Sequence, residues 1–302
     1  MRIISPSKII LLSSNIAETE AAEWSASATY ATGNQVMVSR SADGVQEVTP
    51  HKIYQSLADA NTGKYPPDNL MQWMDMGATN RWRMFDGFAN TQTVAAADKL
   101  ISVQMDASRS DTAAFFNLTA QQLSLKIMLA GVMKWQQTVN LILNQSASWS
   151  DYFYNPLQYQ SRAVILTFQA WGMGAVAQTD ISGTGCGVLY LGKGIYLGDA
   201  LYTPKITILD YSKKDTDTFG RTYLKQGDYA ARVEADLLIP TPSVNSVFEI
   251  LAKVRGQAAV WDFNNDTTDN DSLKVYGFFR DFDIVMQNSA YSKCSLRVEG
   301  LI

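Results

Sequence analysis

Five aromatic residues in one short stretch are the first place to look for chemistry. Trp24 and Tyr30 stand six apart in AEWSASATYATGNQVMV, Gly33 and Val36 follow, and Tyr54, Tyr65 and Trp73 complete the set. Rings at such intervals form sugar-stacking surfaces, which makes these five the candidate carbohydrate-binding residues. They also form the interior of a very small β module, which has too few residues to build a core from aliphatic side chains alone. The second role is the favoured expectation, because one stacked ring adds only about 0.5–1.5 kcal/mol beyond its burial.

Other reactive residue types are sparse or badly spaced. Serines are many, but no G-x-S-x-G occurs, and the single histidine, His51, leaves no room for most triads. Asp281 and Asp283 are two apart on an expected strand and would share a face, as a glycosidase pair must. A solvated strand surface is the favoured reading for them. The run SGTGCGVLYLGKGIYLGD lacks the Lys-Ser/Thr and the helix of a phosphate loop, so its glycines are expected in tight hairpins with bulges. In DTTDNDS, Asp266, Asp269 and Asp271 lack the glycine and terminal glutamate of a calcium loop, and a polar hairpin tip is expected. Cys186 and Cys294 are expected as two buried free thiols rather than a disulfide framework or zinc site. No catalytic residue, metal ligand or cofactor emerges, and the expectation is a non-enzyme.

The elements that carry these residues read as mainly β. The chain has 302 residues, 46% apolar and 18% charged, with net charge −4 and no basic run, which argues against nucleic-acid binding. The apolar run Ile9-Ile10-Leu11-Leu12 is far too short to span a bilayer or serve as a secretory segment. Residues 1–21 read as an extended arm, able to add a strand to a neighbour or to an edge of its own sheet. Residues 22–78 read as the small three-stranded aromatic module. Residues 79–180 read as a β-sandwich: Leu123, Leu125, Ile127 and Leu129 alternate, and Val139, Leu141 and Leu143 do so after the Ala130-Gly131 turn. Residues 181–302 read as a second strand-rich domain with one helix near 242–255. There Pro242 suits the first turn, Val244, Val247, Phe248, Leu251 and Val254 share a face, and Gly256 stops the helix.

The pattern Trp24, Tyr30, Gly33, Val36, Tyr54, Gly63, Pro66 and Trp73 resembles the small chitin-binding modules of bacterial chitinases, carbohydrate-binding families five and twelve. Those modules carry an adjacent aromatic pair after the second tyrosine. Here the corresponding piece is QSLADANTG, which has no aromatic, and only Tyr65 offers a partial substitute. Beyond the module, NRWRMFDG, LYTPKITILDYSKKDTDTFGR and VYGFFRDFDIVMQNSAYSKCSLRVEGLI are similar to tail proteins of long-tailed bacteriophages that carry an N-terminal module of this type. The resemblance implies a structural virion protein of the tail tip or baseplate, assembled in the host cytoplasm. The implied partners are sister subunits in a ring and other tail or baseplate proteins. The alternative it leaves open is an adhesin that recognises a host cell-surface polysaccharide.

Overall fold

The computed structural model describes residues 1–6, 8–45, 47–96, 99–141, 163–201, 204–264 and 270–301. The chain is mostly strand, paired in large antiparallel sheets, with a single α-helix among the described residues. The principal strands are β1 (Arg2–Pro6), β2 (Leu11–Ser14), β3 (Gln35–Arg40), β4 (Glu47–Ser56), β5 (Trp73–Ala78), β6 (Leu100–Asp106), β7 (Thr112–Leu129) and β8 (Val132–Asn140). They continue with β9 (Ala175–Tyr196), β10 (Lys205–Asp210), β11 (Tyr229–Pro240), helix α1 (Val244–Val254), β12 (Ala259–Asp262), β13 (Lys274–Met286) and β14 (Tyr291–Gly300).

One sheet runs β8-β7-β9-β1-β12-β13-β14-β11, with β10 on the outer edge of β11, and with β6 and then β2 branching from β9. Its longest pairing joins β7 to β9. Leu123, Leu125 and Ile127 of β7 are fully buried on one side, as period-two alternation demands. Ala130 and Gly131 close the hairpin to β8 with φ of +49° and +78°, the left-handed pair that a two-residue hairpin turn requires.

Nearer its start β7 is buried on both faces. Ala113 and Phe115 pack with Leu189 and Leu191, while Ala114 and Phe116 pack with Val188 and Tyr190 on the opposite side.

Strand β1 is the structural centre. It pairs with β9 on one edge, Ile3 opposite Ile195, and with β12 on the other, Ile3 opposite Trp261. Ile3 enters the cluster that holds Leu237, Trp261 and Val298; Ile4 enters the cluster of Tyr190, Val260 and Tyr276 on the other face. This corrects the extended-arm expectation for residues 1–21. Of the strands within residues 1–21, only β2 lies at an edge, beside β6, and residues 2–6 are interior. Two consecutive isoleucines signal two-sided burial, a pattern that the search for alternation passes over.

The glycine-rich run also departs from expectation. Instead of forming hairpins, its residues 182–196 lie inside β9, a continuous strand of 22 residues, so the boundary expected at 180/181 falls within a strand. Two glycines explain why the run needs them. A Cβ on Gly192 would lie 2.2 Å from the Ser5 carbonyl oxygen, and one on Gly183 would lie 2.3 Å from the Ala120 Cα. The bulge element of the expectation survives, since the β7–β9 register shifts between Thr119 and Gln122. Glycine here lets backbones approach closely where long strands bend.

Helix α1 buries Val244, Val247, Leu251 and Val254, and Gly256 follows with φ +67°. Phe248 does not join them: it is exposed and meets Phe282 edge to face at 5.9 Å. Across the solvent side of β11, β13 and β14 runs a charged ladder. Arg232 and Arg280 both reach Glu299, Arg297 joins Glu234 to Asp281, and Lys293 pairs with Asp236.

Candidate functional site

The aromatic module is built on β3, β4 and β5, antiparallel in that order, with Ala22–Glu23 added parallel to β3 as a short fourth strand. Thr29–Tyr30 pairs with Asn61–Thr62 beside it. The structure brings all five sequence-predicted residues together around one small core. Val36, Val38, Tyr54 and Trp73 are its buried members, and Trp24, Tyr30 and Tyr65 pack around them. Tyr30 meets Trp73 edge to face at 5.2 Å, and Trp24 meets Tyr65 likewise at 5.3 Å.

The polar atoms of Trp73, Tyr65 and Tyr30 hold loops, whereas the buried indole N–H of Trp24 has no acceptor. The Trp73 indole N–H donates to the Lys64 carbonyl at 2.9 Å, the Tyr65 hydroxyl donates to the Arg40 carbonyl at 2.7 Å, and the Ser25 N–H donates to the Tyr30 hydroxyl at 2.8 Å. Burial, with Asp75 and Tyr65 nearby, pushes the Tyr54 phenol up to about 12. The Trp24–Tyr65 and Tyr30–Trp73 rings meet edge to face rather than lying in one plane. Only Trp24, Tyr30 and Tyr65 keep part of their surface toward solvent.

A second constellation, which the sequence did not reveal, fixes the module to the large sheet. The Glu18 carboxylate accepts from His51 Nδ1 at 2.9 Å and from the Thr79 hydroxyl at 2.6 Å, and pairs with Arg81 at 2.7 Å. The Arg81 Nε in turn donates to the Ile16 carbonyl. Burial opposes ionisation of Glu18, but the hydrogen bonds from His51 and Thr79 and the charges of His51 and Arg81 outweigh it. The carboxyl therefore lies below the usual glutamate range. His51 also leans on Trp82, ring centres 4.9 Å apart, and Trp82 on Phe85 at 5.8 Å. Only one signal in the sequence pointed here: the junction NRWRMFDG concentrates two arginines and two aromatics where a plain linker would be polar.

Two depressions border this junction. A groove of roughly 700 Å³ is lined by Met76, Arg83, Asp86, Phe88, Gln92 and Asn117 among others. Its amides are largely satisfied: Gln92 Nε2 donates to the Asn117 carbonyl, and Asn117 Nδ2 to the Ala89 carbonyl. The other, of roughly 400 Å³, lies between Thr49-Pro50 of the module, Trp82 and Phe85 of the junction, and Tyr190 and Tyr276 of the sheet.

The remaining chemical candidates are scattered. Asp281 is ion-paired to Arg297 on the ladder, and Asp283 lies on the same side of the strand. Cys186 and Cys294 are free and buried, their thiols pushed up by burial to about 12 and about 11. Asp271 pairs with Lys274, whereas Asp266 and Asp269 lie outside the described residues, as does Leu143. No cluster of three or more His, Cys, Asp or Glu among the described residues is placed to hold a metal, and no described helix is long and apolar enough to cross a membrane.

Compared with protein-family models, with curated proteins and with solved structures, the chain finds no match. The resemblance to chitin-binding modules and to phage tail proteins rests on the quoted motifs alone.

Proposed function

We propose that this chain is a structural subunit of a bacteriophage tail tip or baseplate, and that it works by assembling with sister copies into a ring and with other tail proteins. The observation that carries this reading is the concentration of bare apolar side chains at one end of the sheet. There Ile206 and Ile208 of edge strand β10 are exposed, as is Tyr229 of β11. A hairpin of Lys213–Thr216 and Thr222–Lys225 projects beside them, with Phe219 89% and Leu224 77% exposed. Exposed strand edges and apolar tips of this kind are liabilities in a lone molecule and assets in an assembly.

The sheet has a second open edge at β8, which among the described residues pairs only with β7. Joining one end of the sheet to the opposite end of a neighbour is a head-to-tail contact, the kind that closes into rings. Sedimentation of the purified chain across a concentration series tests the reading, together with electron microscopy of particles. Concentration-dependent rings are expected. A monomer at every concentration, never found in virions, refutes the proposal.

A glycan-binding role for the module has weaker support, because its rings are committed to its own core. Titration with chito-oligosaccharides distinguishes the two readings, since the assembly reading expects no saturable binding at the module.

A further inference from the structure

We propose that the cleft between module and sheet is a binding site for a small carboxylate carried on a ring. The cleft has aromatic and apolar walls, Pro50 from the module, Phe85 from the junction, and Tyr190 and Val188 from the sheet. At roughly 400 Å³ it lies at the low end of ligand-sized pockets, enough for one or two rings. It also sits at the meeting of two structural units, where such sites concentrate.

The polar groups of the cleft are mostly donors, and two have no protein partner. Among the described residues the Tyr276 hydroxyl makes no hydrogen bond, and the ammonium of Lys8 pairs with no carboxylate. Gly87 lines the cleft close to that hydroxyl, where a Cβ would come within 3.7 Å of it. The Tyr190 hydroxyl is partly engaged, donating to the Ala258 carbonyl at 3.4 Å.

Among the described residues no carboxylate lines the cleft, although the chain as a whole is acidic. The acidic group whose charge reaches Tyr276 is Asp86. Asp86 faces the adjoining groove, where it accepts from the Phe88 N–H and the Thr91 hydroxyl.

Two donors without a protein partner, the Tyr276 hydroxyl and the Lys8 ammonium, beside apolar ring walls call for an anion with one apolar face. A uronic sugar residue and an aromatic acid share that chemistry. The site goes beyond the assembly reading and is independent of it, because neither Lys8 nor Tyr276 lies on β10 or on the projecting hairpin.

The test titrates the full chain with D-glucuronate and with benzoate, and with D-glucose and benzyl alcohol as neutral counterparts. Binding is followed by indole fluorescence and saturation-transfer NMR. At least one carboxylate is expected to bind in the millimolar range or tighter, and its neutral counterpart far more weakly; which carboxylate binds identifies the source. Tyr276→Phe should weaken binding roughly tenfold, as loss of a hydrogen bond to a charged acceptor does. Lys8→Met should weaken it a few-fold, and Lys225→Met on the distal hairpin not at all. If Tyr276→Phe proves unfolded by circular dichroism, the exposed Lys8 variant carries the test alone. Equal binding of acid and neutral partner, no binding by either acid, or unchanged affinity in folded Lys8→Met overturns the proposal. Sedimentation of the same samples reports assembly separately.

Discussion

Glu18 shows how one side chain can decide whether a small module is tethered or fixed. Its carboxylate is 8% exposed and joins three groups from two later segments. Removing one partner from such a set leaves the others buried without a counter-charge, which costs roughly 3–5 kcal/mol. Glu18→Ala is expected to lower the melting temperature and to loosen the module, seen as faster amide exchange around His51 and Thr79. The pH dependence follows from the lowered carboxyl. A depressed folded value means that the contribution is complete above the ordinary glutamate range and is lost as pH falls through the folded value. The stability difference between the wild-type chain and Glu18→Gln should therefore be largest near neutrality and shrink in acid; a difference that grows in acid contradicts the arrangement. Trp73 acts on the same scale but through packing. Trp73→Ala should cost about 3–5 kcal/mol in a denaturant titration, because it empties the centre of a four-residue core. Survival of the module with only a slight loss would mean that the ring serves a surface instead.

At the scale of elements, β1 ties the two halves of the sheet together, and its neighbours are shaped for it. The absent side chain of Gly192 lets the Ser5 carbonyl approach, so Gly192→Ala must push β1 away or distort β9. A loss of about 1–3 kcal/mol is expected, as for other overpacked sites. Amides of Ile3 and Ile4 should then exchange faster while those of the β7–β8 hairpin do not. Protection at Ile3 and Ile4 equal to that of the wild type would show that β1 is not held by this contact. The same elements show what could be read in advance. Wherever one face is wet the sequence is explicit, as in the Leu123–Ile127 alternation, the Ala130-Gly131 turn and the valine stripe of α1. Where both faces are buried the pattern disappears. β1 therefore read as an arm, and the glycines of β9 read as turns, because their reason lies in partners 187 and 63 positions away along the chain. The candidate site shows the same divide. The five rings of the module were legible as a cluster, since small cores must be aromatic. Glu18, Arg81 and the Trp82–Tyr276 cleft were not, since their partners come together only through tertiary folding.

For the whole molecule, the question is what its bare apolar side chains are for. The projecting hairpin is the clearest case: all eight residues of its two strands are exposed, and Phe219 lies in the turn between them. Burying two or three such side chains against a neighbour yields about 1.5–3 kcal/mol each, before the cost of association. The double variant Phe219→Ser and Leu224→Ser should therefore shift self-association to much higher concentration, a change on the order of a hundredfold. The melting temperature of the dilute subunit should stay the same, because no core contact is lost. Sedimentation velocity and a thermal melt on the same sample separate the two effects. If the variant melts earlier and assembles as before, the hairpin belongs to the fold of its own chain and the bare end of the sheet is not an interface.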